Sequence, residues 1–316
     1  LMYFRGMTII QFEYIIAVDN HRHFGKAAEA CFVTQPTLSM QIQKLEDQLG
    51  VLIFDRGKHP VAPTEIGRRI IAQARMVVSD AKKIGEIIAE EKGEIAGELT
   101  VGIIPSLSPY LLPLFVHNFI EKYPKVTLVV KELITEEVIK ALHSETLDLG
   151  IIVTPYDDTS LIEKLLFYED FKGYVSAKSP LFQKDKIEAG DISHEELWLL
   201  NEGHCFRDQV LNICQSNPLT DTHFKYESGS LEALKKIVDR HGGLTLLPEL
   251  ATLDLDANDQ SKLRSFVDPK PVREVSLVMH KSYLKQKLVE VLHQEILQSI
   301  PDYISVKKNG EEIKWK

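Results

Sequence analysis

The sequence is poor in cysteine, in tryptophan and in net positive charge, and it holds no long apolar run. Three cysteines among 316 residues are too few, and odd in number, for the disulfide framework of a secreted domain. No stretch approaches the roughly 20 apolar residues that a membrane-spanning helix needs, and no secretory signal is visible. The expected compartment is therefore the cytoplasm, where thiols stay reduced and a disulfide is usually transient. A net charge of -9 excludes a global basic field that would announce nucleic acid. The charge is uneven, however: residues 1–93 hold 12 basic and 11 acidic side chains, and the remainder 25 and 35. A near-neutral N-terminal part beside an acidic body is compatible with DNA binding by that part. No metal site is expected, because His204, Cys205 and Cys214 have no fourth ligand at zinc spacing, and no cofactor motif is present. The first six residues read as an appended segment, with Met7 the natural start.

What is present is an ordinary apolar content of 44%, sufficient for real cores, over a length that suggests two or three domains. Residues 8–20 predict a helix that Thr8 caps, with Ile9, Phe12, Ile15, Ile16 and Val18 largely on one face. A short helix follows over Phe24–Cys31. A third runs from Thr34 or Gln35 to Leu49, with Pro36 in its first turn and Gly50 ending it. Leu38, Ile42, Leu45 and Leu49 form its buried stripe. The other face offers Gln35, Thr37, Ser39, Gln41 and Lys44. Two short helices joined by a tight turn, the second with a polar face, follow the helix-turn-helix pattern. Gln reaches adenine edges, Ser and Thr reach bases or phosphates, and Lys pairs phosphates. The plain alternative is an amphipathic helix with a solvated polar face. Residues 51–63 read as a two-stranded wing whose Arg56 and Lys58 reach phosphates. Thr34, Gln35, Thr37, Ser39, Gln41, Lys44 and Arg56 are the candidate DNA contacts.

A long helix runs from Thr64 to about Lys92. Ile66, Ile70, Ala74, Val77, Ala81, Ile84 and Ile88 recur at coiled-coil spacing, which suits pairing with a second copy. After Gly93 strands and helices alternate. Leu99–Ile104, Val126–Glu132 and Leu147–Val153 read as strands, with helices over Pro109–Tyr123 and Thr135–Glu145 between them. Such alternation predicts a parallel α/β sheet. Further β or α signals fall at Phe171–Ala177, Leu197–Asn201, Phe224–Glu227, Leu231–Arg240, Leu244–Leu247 and Val275–His280, and a last helix at Leu284–Ser299. The tail from Asp302 is polar and expected to fray.

The stretch Glu202-Gly203-His204-Cys205-Phe206-Arg207-Asp208 through Cys214 holds two of the three cysteines. Charged residues crowd Cys205 and apolar ones surround Cys214. Cys205 reads as a reactive thiol and Cys214 as its partner, against the alternative of two structural thiols. Cys31 reads as core. A reactive cysteine attacks as the thiolate, so its pKa must fall. Arg207 and a protonated His204 would lower it, the N-terminus of a helix starting near Cys205 would assist, and Asp208 would oppose.

The ordered run Phe24-Gly25-Lys26-Ala27-Ala28, Thr34-Gln35-Pro36-Thr37-Leu38-Ser39, Ile42-Gln43-Lys44-Leu45-Glu46, Leu49-Gly50-Val51-Leu52-Ile53-Phe54-Asp55-Arg56 and Pro63-Thr64-Glu65-Ile66-Gly67 resembles the LysR-type transcriptional regulators. The resemblance implies an all-α winged helix-turn-helix over residues 7–63, a linker helix over 64–93 and an α/β effector domain over 94–316. That domain would hold two Rossmann-like, periplasmic-binding-protein-like subdomains, one at about 94–168 with 274–301 and one at about 169–273. Within the family, Ile104-Pro105-Ser106-Leu107-Ser108-Pro109-Tyr110, Gly203-His204-Cys205-Phe206-Arg207-Asp208-Gln209, Cys214, Asp221-Thr222-His223-Phe224 and Leu244-Thr245-Leu246-Leu247-Pro248 are similar to the hydrogen-peroxide sensors of the OxyR type.

That narrower resemblance implies that Cys205 reacts with peroxide to a sulfenic acid and that Cys214 resolves it to a disulfide. It also implies that His204, Arg207 and Asp208 surround the thiol, and that Ser106, Thr135 and Arg273 line the peroxide pocket. Ser106 stands where relatives carry threonine. The implied protein is not an enzyme but an activator of antioxidant genes. Its implied partners are promoter DNA, further copies of itself as homodimer or homotetramer, RNA polymerase, and a thiol reductant of glutaredoxin or thioredoxin type. Other readings are a LysR-type regulator that answers a small metabolite between its two subdomains, a thiol peroxidase, which the missing Cys-x-x-Cys disfavours, and a solute-binding protein, which the missing signal disfavours. One geometric expectation follows. In a helix, Cys205 and Cys214 stand about 13.5 Å apart along the axis, whereas a disulfide needs Cα atoms within about 7 Å.

Overall fold

The computed structural model describes residues 6–58, 60–91, 95–193, 197–214, 229–281, 283, 286–304 and 310–313. Contacts divide the chain into one unit of residues 1–94 with 144–146 and another of residues 95–143 with 147–316.

The first unit is built from α1 (Ile9–His21), α2 (Phe24–Ala30), α3 (Gln35–Leu49), a hairpin of β1 (Phe54–Asp55) with β2 (Ala62–Pro63), and α4 (Glu65–Glu91). Thr8 starts α1 with a reciprocal box: its hydroxyl accepts from the Gln11 amide, and the Gln11 side chain accepts from the Thr8 amide. Pro36 occupies the first turn of α3, and Gly50 ends the helix at a left-handed φ of 68°. Ile15, Val18, Ala27, Leu38, Ile42 and Leu45 fill the core, closed from above by Ile71 and Ala74 of α4. A Cβ on Gly67 would lie 2.0 Å from the Ile53 carbonyl oxygen, so only glycine lets α4 start this close to the wing.

The expected coiled-coil seam is split. Ala74 turns into its own core, while Ile66, Val77 and Ile84 stay exposed at 40%, 36% and 63%. Ile88 lies outside the described side chains.

The second unit follows a mixed sheet. In chain order it holds β3 (Gly97–Ile103), α5 (Ser108–Lys122), β4 (Val126–Glu132), α6 (Thr135–His143), β5 (Leu149–Thr154), β6 (Leu161–Val175), β7 (Lys186–Ile187), α7 (Cys205–Ile213), α8 (Leu231–His241), β8 (Leu244–Pro248), α9 (Ala257–Gln260), β9 (Leu263–Phe266), β10 (Pro271–His280), α10 (Gln286–Ser299) and β11 (Glu311–Glu312). Strand order is β4-β3-β5-β10-β6-β9-β7, with β8 on β6 and β11 on β10. β3, β4 and β5 are parallel, as the alternation predicts. The sheet as a whole is not: β10 runs antiparallel to both β5 and β6. A late strand inserted between β5 and β6 sets this direction, and no local pattern encodes it.

β6 links two cores. Its first part pairs with β10 beside the core of Leu99, Ile103, Phe115, Ile151 and Leu277. Its end pairs with β8 and β9 in the core of Phe171, Tyr174, Phe206, Leu234 and Leu246. The expected strand at Leu197–Asn201 reduces to one bridge, Leu197 to Leu244. The stretches Asp221–Phe224 and Phe224–Glu227 lie outside the described residues.

The tail does not fray throughout. β11 pairs parallel with Pro271 and Val272 of β10, and Ile304 is buried.

Candidate functional site

Four sequence-predicted residues converge from four elements. Ser106 sits in the turn after β3, Thr135 opens α6, Cys205 opens α7 and Arg273 lies on β10, all buried. Arg273 organises the group. Its Nη1 donates to Ser106 Oγ at 2.9 Å, and Nη2 to the Ser106 carbonyl at 3.2 Å. Nε donates to Glu169 Oε1 at 2.8 Å. The Arg273 Cζ atom lies 5.2 Å from the centroid of the Phe206 ring, and Phe206 stacks on Phe171. A guanidinium buried this deeply requires a buried carboxylate, and Glu169 supplies it.

Cys205 is a reduced thiol held in this environment. Complete burial pushes its pKa up, and Asp208 adds to that. The Thr135 hydroxyl, Arg273 and the Phe206 backbone amide pull the other way. The result is a thiol that rests protonated, among a hydroxyl, a cation and a helix N-terminus that favour the thiolate. The Thr135 hydroxyl is buried, and among the described residues the Cys205 sulfur is its one partner.

Two expected contributors are placed differently. His204 precedes α7 without capping it, and burial lowers its pKa, so at neutral pH it is uncharged and does not act as a cation on Cys205. Its ring packs on the Gly229 backbone, where a Cβ would come within 2.6 Å of it. Arg207 turns to the Leu200 carbonyl, 2.8 Å from Nη1, and Arg273 takes the role expected of it. Beside His204 opens a cleft of about 370 Å³ lined by Pro105, Tyr110, Glu132, Ser230 and Glu232. Tyr110 Oη donates to Glu232 Oε1 at 2.9 Å across it. Burial and Glu232 raise the phenol above its usual range.

Cys214 caps the far end of α7, half-buried in the second core. Burial pushes its thiol up to about 12. The nine-residue helix keeps the two sulfurs apart, since its rise separates their Cα atoms by about 13.5 Å. Among the described residues no group of His, Cys, Asp and Glu could hold a metal ion.

In the first unit, Thr34, Gln35 and Lys44 are exposed on α3, and Thr37, Ser39 and Gln41 are half-buried. Gln41 takes hydrogen bonds from buried Gln11. Arg56 is drawn inward: Nη2 bonds Glu46 Oε2 at 3.0 Å and Nη1 donates to Ser39 Oγ at 3.3 Å. Buried Glu46 also accepts from the Ile53 and Phe54 amides at 2.7 and 3.2 Å, fixing the wing to α3. Cys31 is half-buried against this core, as expected.

Sequence reasoning missed Glu46, Glu169 and Gln209. The available signal for Glu169 was indirect: a buried Arg273 demands an acid opposite it on the neighbouring strand.

Residues 9–68 match the family described as bacterial regulatory helix-turn-helix protein, lysR family, and residues 92–301 the LysR substrate binding domain. A hydrogen peroxide-inducible genes activator of Dickeya chrysanthemi is 36% identical over 273 residues, 86% of this chain and 89% of that protein. The DNA-binding transcriptional dual regulator OxyR of Escherichia coli K12 is 35% identical over the same share of this chain and 89% of its own. A full-length OxyR cysteine-to-aspartate variant from Pseudomonas aeruginosa superposes with a TM-score of 0.75 at 35% identity, covering 96% of this chain and 100% of that one.

Proposed function

The chain belongs to the LysR family of bacterial helix-turn-helix regulators, and on that premise we propose that it is a peroxide-responsive transcriptional activator. The observation that carries the reading is the buried meeting of Cys205 with Thr135, Ser106 and Arg273 at the N-terminus of α7. Peroxide enters as a guest small enough for that pocket. The Thr135 and Ser106 hydroxyls and the Arg273 guanidinium orient it and stabilise charge on its departing oxygen.

The Cys205 sulfur attacks one peroxide oxygen and the O–O bond breaks. The other oxygen leaves as water with the thiol proton, and Cys205 becomes a sulfenic acid. Cys214 then attacks that sulfur, releasing a second water and closing a Cys205–Cys214 disulfide. Burial of the thiol suits a sensor, since it shuts out larger oxidants and disulfides. The high pKa of Cys214 in the helical form keeps it a poor nucleophile until α7 opens.

The output lies in the N-terminal unit, where Thr34, Gln35, Thr37, Ser39, Gln41 and Lys44 of α3 face promoter DNA and Arg56 supports the wing. The exposed Ile66, Val77 and Ile84 of α4 suit pairing with a second copy, and a dimer presents two such helices to two half-sites. Recruitment of RNA polymerase and resetting by a dithiol reductant complete the cycle. Related regulators carry names that state peroxide induction, which supports the same signal here.

The test is footprinting on promoter DNA with reduced and peroxide-treated protein, wild type beside Cys205→Ser. A footprint that changes with peroxide in the wild type and stays fixed in the variant is expected. An equal response in both would end the reading.

A further inference from the structure

Glu169 is the one buried carboxylate in the cluster described above, and its geometry is that of a bracket. It lies on β6 directly opposite Arg273 on β10 in the strand register. The side chains of both are 0% exposed. One carboxylate oxygen holds two edges of the guanidinium, 2.8 Å from Nε and 2.7 Å from Nη2. The other oxygen accepts the Leu250 amide at 2.9 Å, in the turn that follows β8. The carboxylate is thus tied on both sides and cannot follow the guanidinium if that moves. The guanidinium in turn is locked between Glu169 and both oxygens of Ser106, with Phe206 beneath it. The guanidinium whose charge reaches Cys205 is thus placed by Glu169 and Ser106.

We propose that Glu169 is a positioning residue for the reaction at Cys205: it fixes the Arg273 guanidinium beside the thiol. The inference rests on the peroxide reading for the reaction, but its geometry stands apart from it. Glu169 acts in two opposed ways. As a tether it keeps a cation next to the sulfur. As an anion it neutralises part of that cation's field. Among the described residues, the other charged or titratable groups near the thiol include Asp208 on α7, Arg207 on the same helix but turned to the Leu200 carbonyl, His204 before it, and Tyr110, Glu132 and Glu232 at the cleft.

The two actions separate by substitution in the full-length protein. Glu169→Gln keeps the size and one oxygen to accept from the guanidinium, gives up the acceptor for the Leu250 amide and removes the charge, so the uncompensated guanidinium turns its field on Cys205. Glu169→Asp keeps the charge and withdraws it by one methylene, so the grip loosens. The thiolate of Cys205 is read by its ultraviolet absorbance against pH, each protein corrected by its own Cys205→Ser partner. The midpoint is expected to fall by about one pH unit or more in Glu169→Gln and to rise in Glu169→Asp, since a nearby charge commonly moves a pKa by 1–3 units. Peroxide reactivity at neutral pH should follow the same order. A purely structural role predicts lower melting temperatures with one common midpoint. Equal midpoints, or shifts of the same sign in both variants, would overturn the proposal. If the midpoints move as expected and wild-type Cys205 ignores peroxide, the positioning stands and the peroxide reading fails.

Discussion

The side-chain nitrogen of Gln209 lies 2.7 Å from the backbone carbonyl of Ile313. Gln209 is fully buried in the middle of α7, and Ile313 follows the strand β11 that pairs with β10. The Ile313 amide donates to the Val272 carbonyl at 2.8 Å, one residue before Arg273. A Cβ on Gly310 would meet the Lys270 carbonyl oxygen at 2.4 Å, so the tail approaches β10 as closely as backbone allows. The C-terminal segment therefore grips both the helix that carries Cys205 and Cys214 and the strand that carries Arg273.

Removing that grip should loosen α7 before it loosens the domain. Gln209→Ala leaves the Ile313 carbonyl without its donor and is expected to cost about 1–3 kcal/mol. Truncation after Ile304 should do at least as much. Hydrogen exchange of the α7 amides in the reduced protein is expected to quicken in both, with the β3–β5 amides unchanged. Unchanged protection of α7 would show that the tail is passive.

The wing makes a second case. Glu46 is buried and accepts three donors, the Ile53 and Phe54 amides and Arg56. Glu46→Ala leaves those groups unsatisfied and should lower stability by about 2–4 kcal/mol. Lys44 is exposed, and on the proposed reading it meets phosphate. Lys44→Ala should reduce the slope of log affinity against log salt by about one with little change in melting. Arg56→Ala should change melting more than it changes the slope. Equal slopes for Lys44→Ala and wild type would remove Lys44 from the phosphate contacts.

Much of this was legible in the chain. Leu38, Ile42 and Leu45 marked the buried face of α3, and the strand–helix alternation located β3, β4 and β5. Four site residues far apart in sequence, Ser106, Thr135, Cys205 and Arg273, do meet. What local pattern did not carry was direction, depth and distant pairing. β10 reverses the sheet because it returns from the second core. The part of β6 that pairs with β10 carries Glu163, Lys164 and Glu169, charges that mask a strand pattern, and Glu169 is explained once Arg273 is placed opposite it. His204 looks like a cation beside a thiol, yet burial decides its charge. The short polar run at Glu311 reads as frayed because its partner, Pro271–Val272, lies 40 positions earlier in the chain.

The buried thiols also predict how stability depends on pH. The folded pKa of Cys205 is raised, and that of Cys214 is raised from 9.0 to about 12. A raised folded pKa means the native state holds protons that the unfolded chain releases. The associated stability is fully present below pH 9 and is lost as pH climbs from there toward 12. Chemical denaturation of the reduced protein should show stability falling across that window. The fall should be shallower in Cys214→Ser. Identical slopes in the two proteins would mean that Cys214 is not buried in solution.

On the proposed mechanism, closing the Cys205–Cys214 disulfide is the strictest requirement on the switch. Cys205 begins α7 and Cys214 caps its end, so an intact helix holds their Cα atoms about 13.5 Å apart. The bond needs them within about 7 Å, and no rotamer change spans the difference. On that mechanism α7 must open between its two cysteines, and the opening is expected to break the Gln209 bond to Ile313 and to disturb the packing of Phe206 on Phe171 and Arg273. Peroxide should therefore strip hydrogen-exchange protection from the amides of residues 205–213 and quicken cleavage of the tail by protease. Cys205→Ser and Cys214→Ser should keep both reduced-state patterns under the same treatment. A disulfide confirmed by mass in a protein whose α7 amides remain protected would rule out unwinding as the switch.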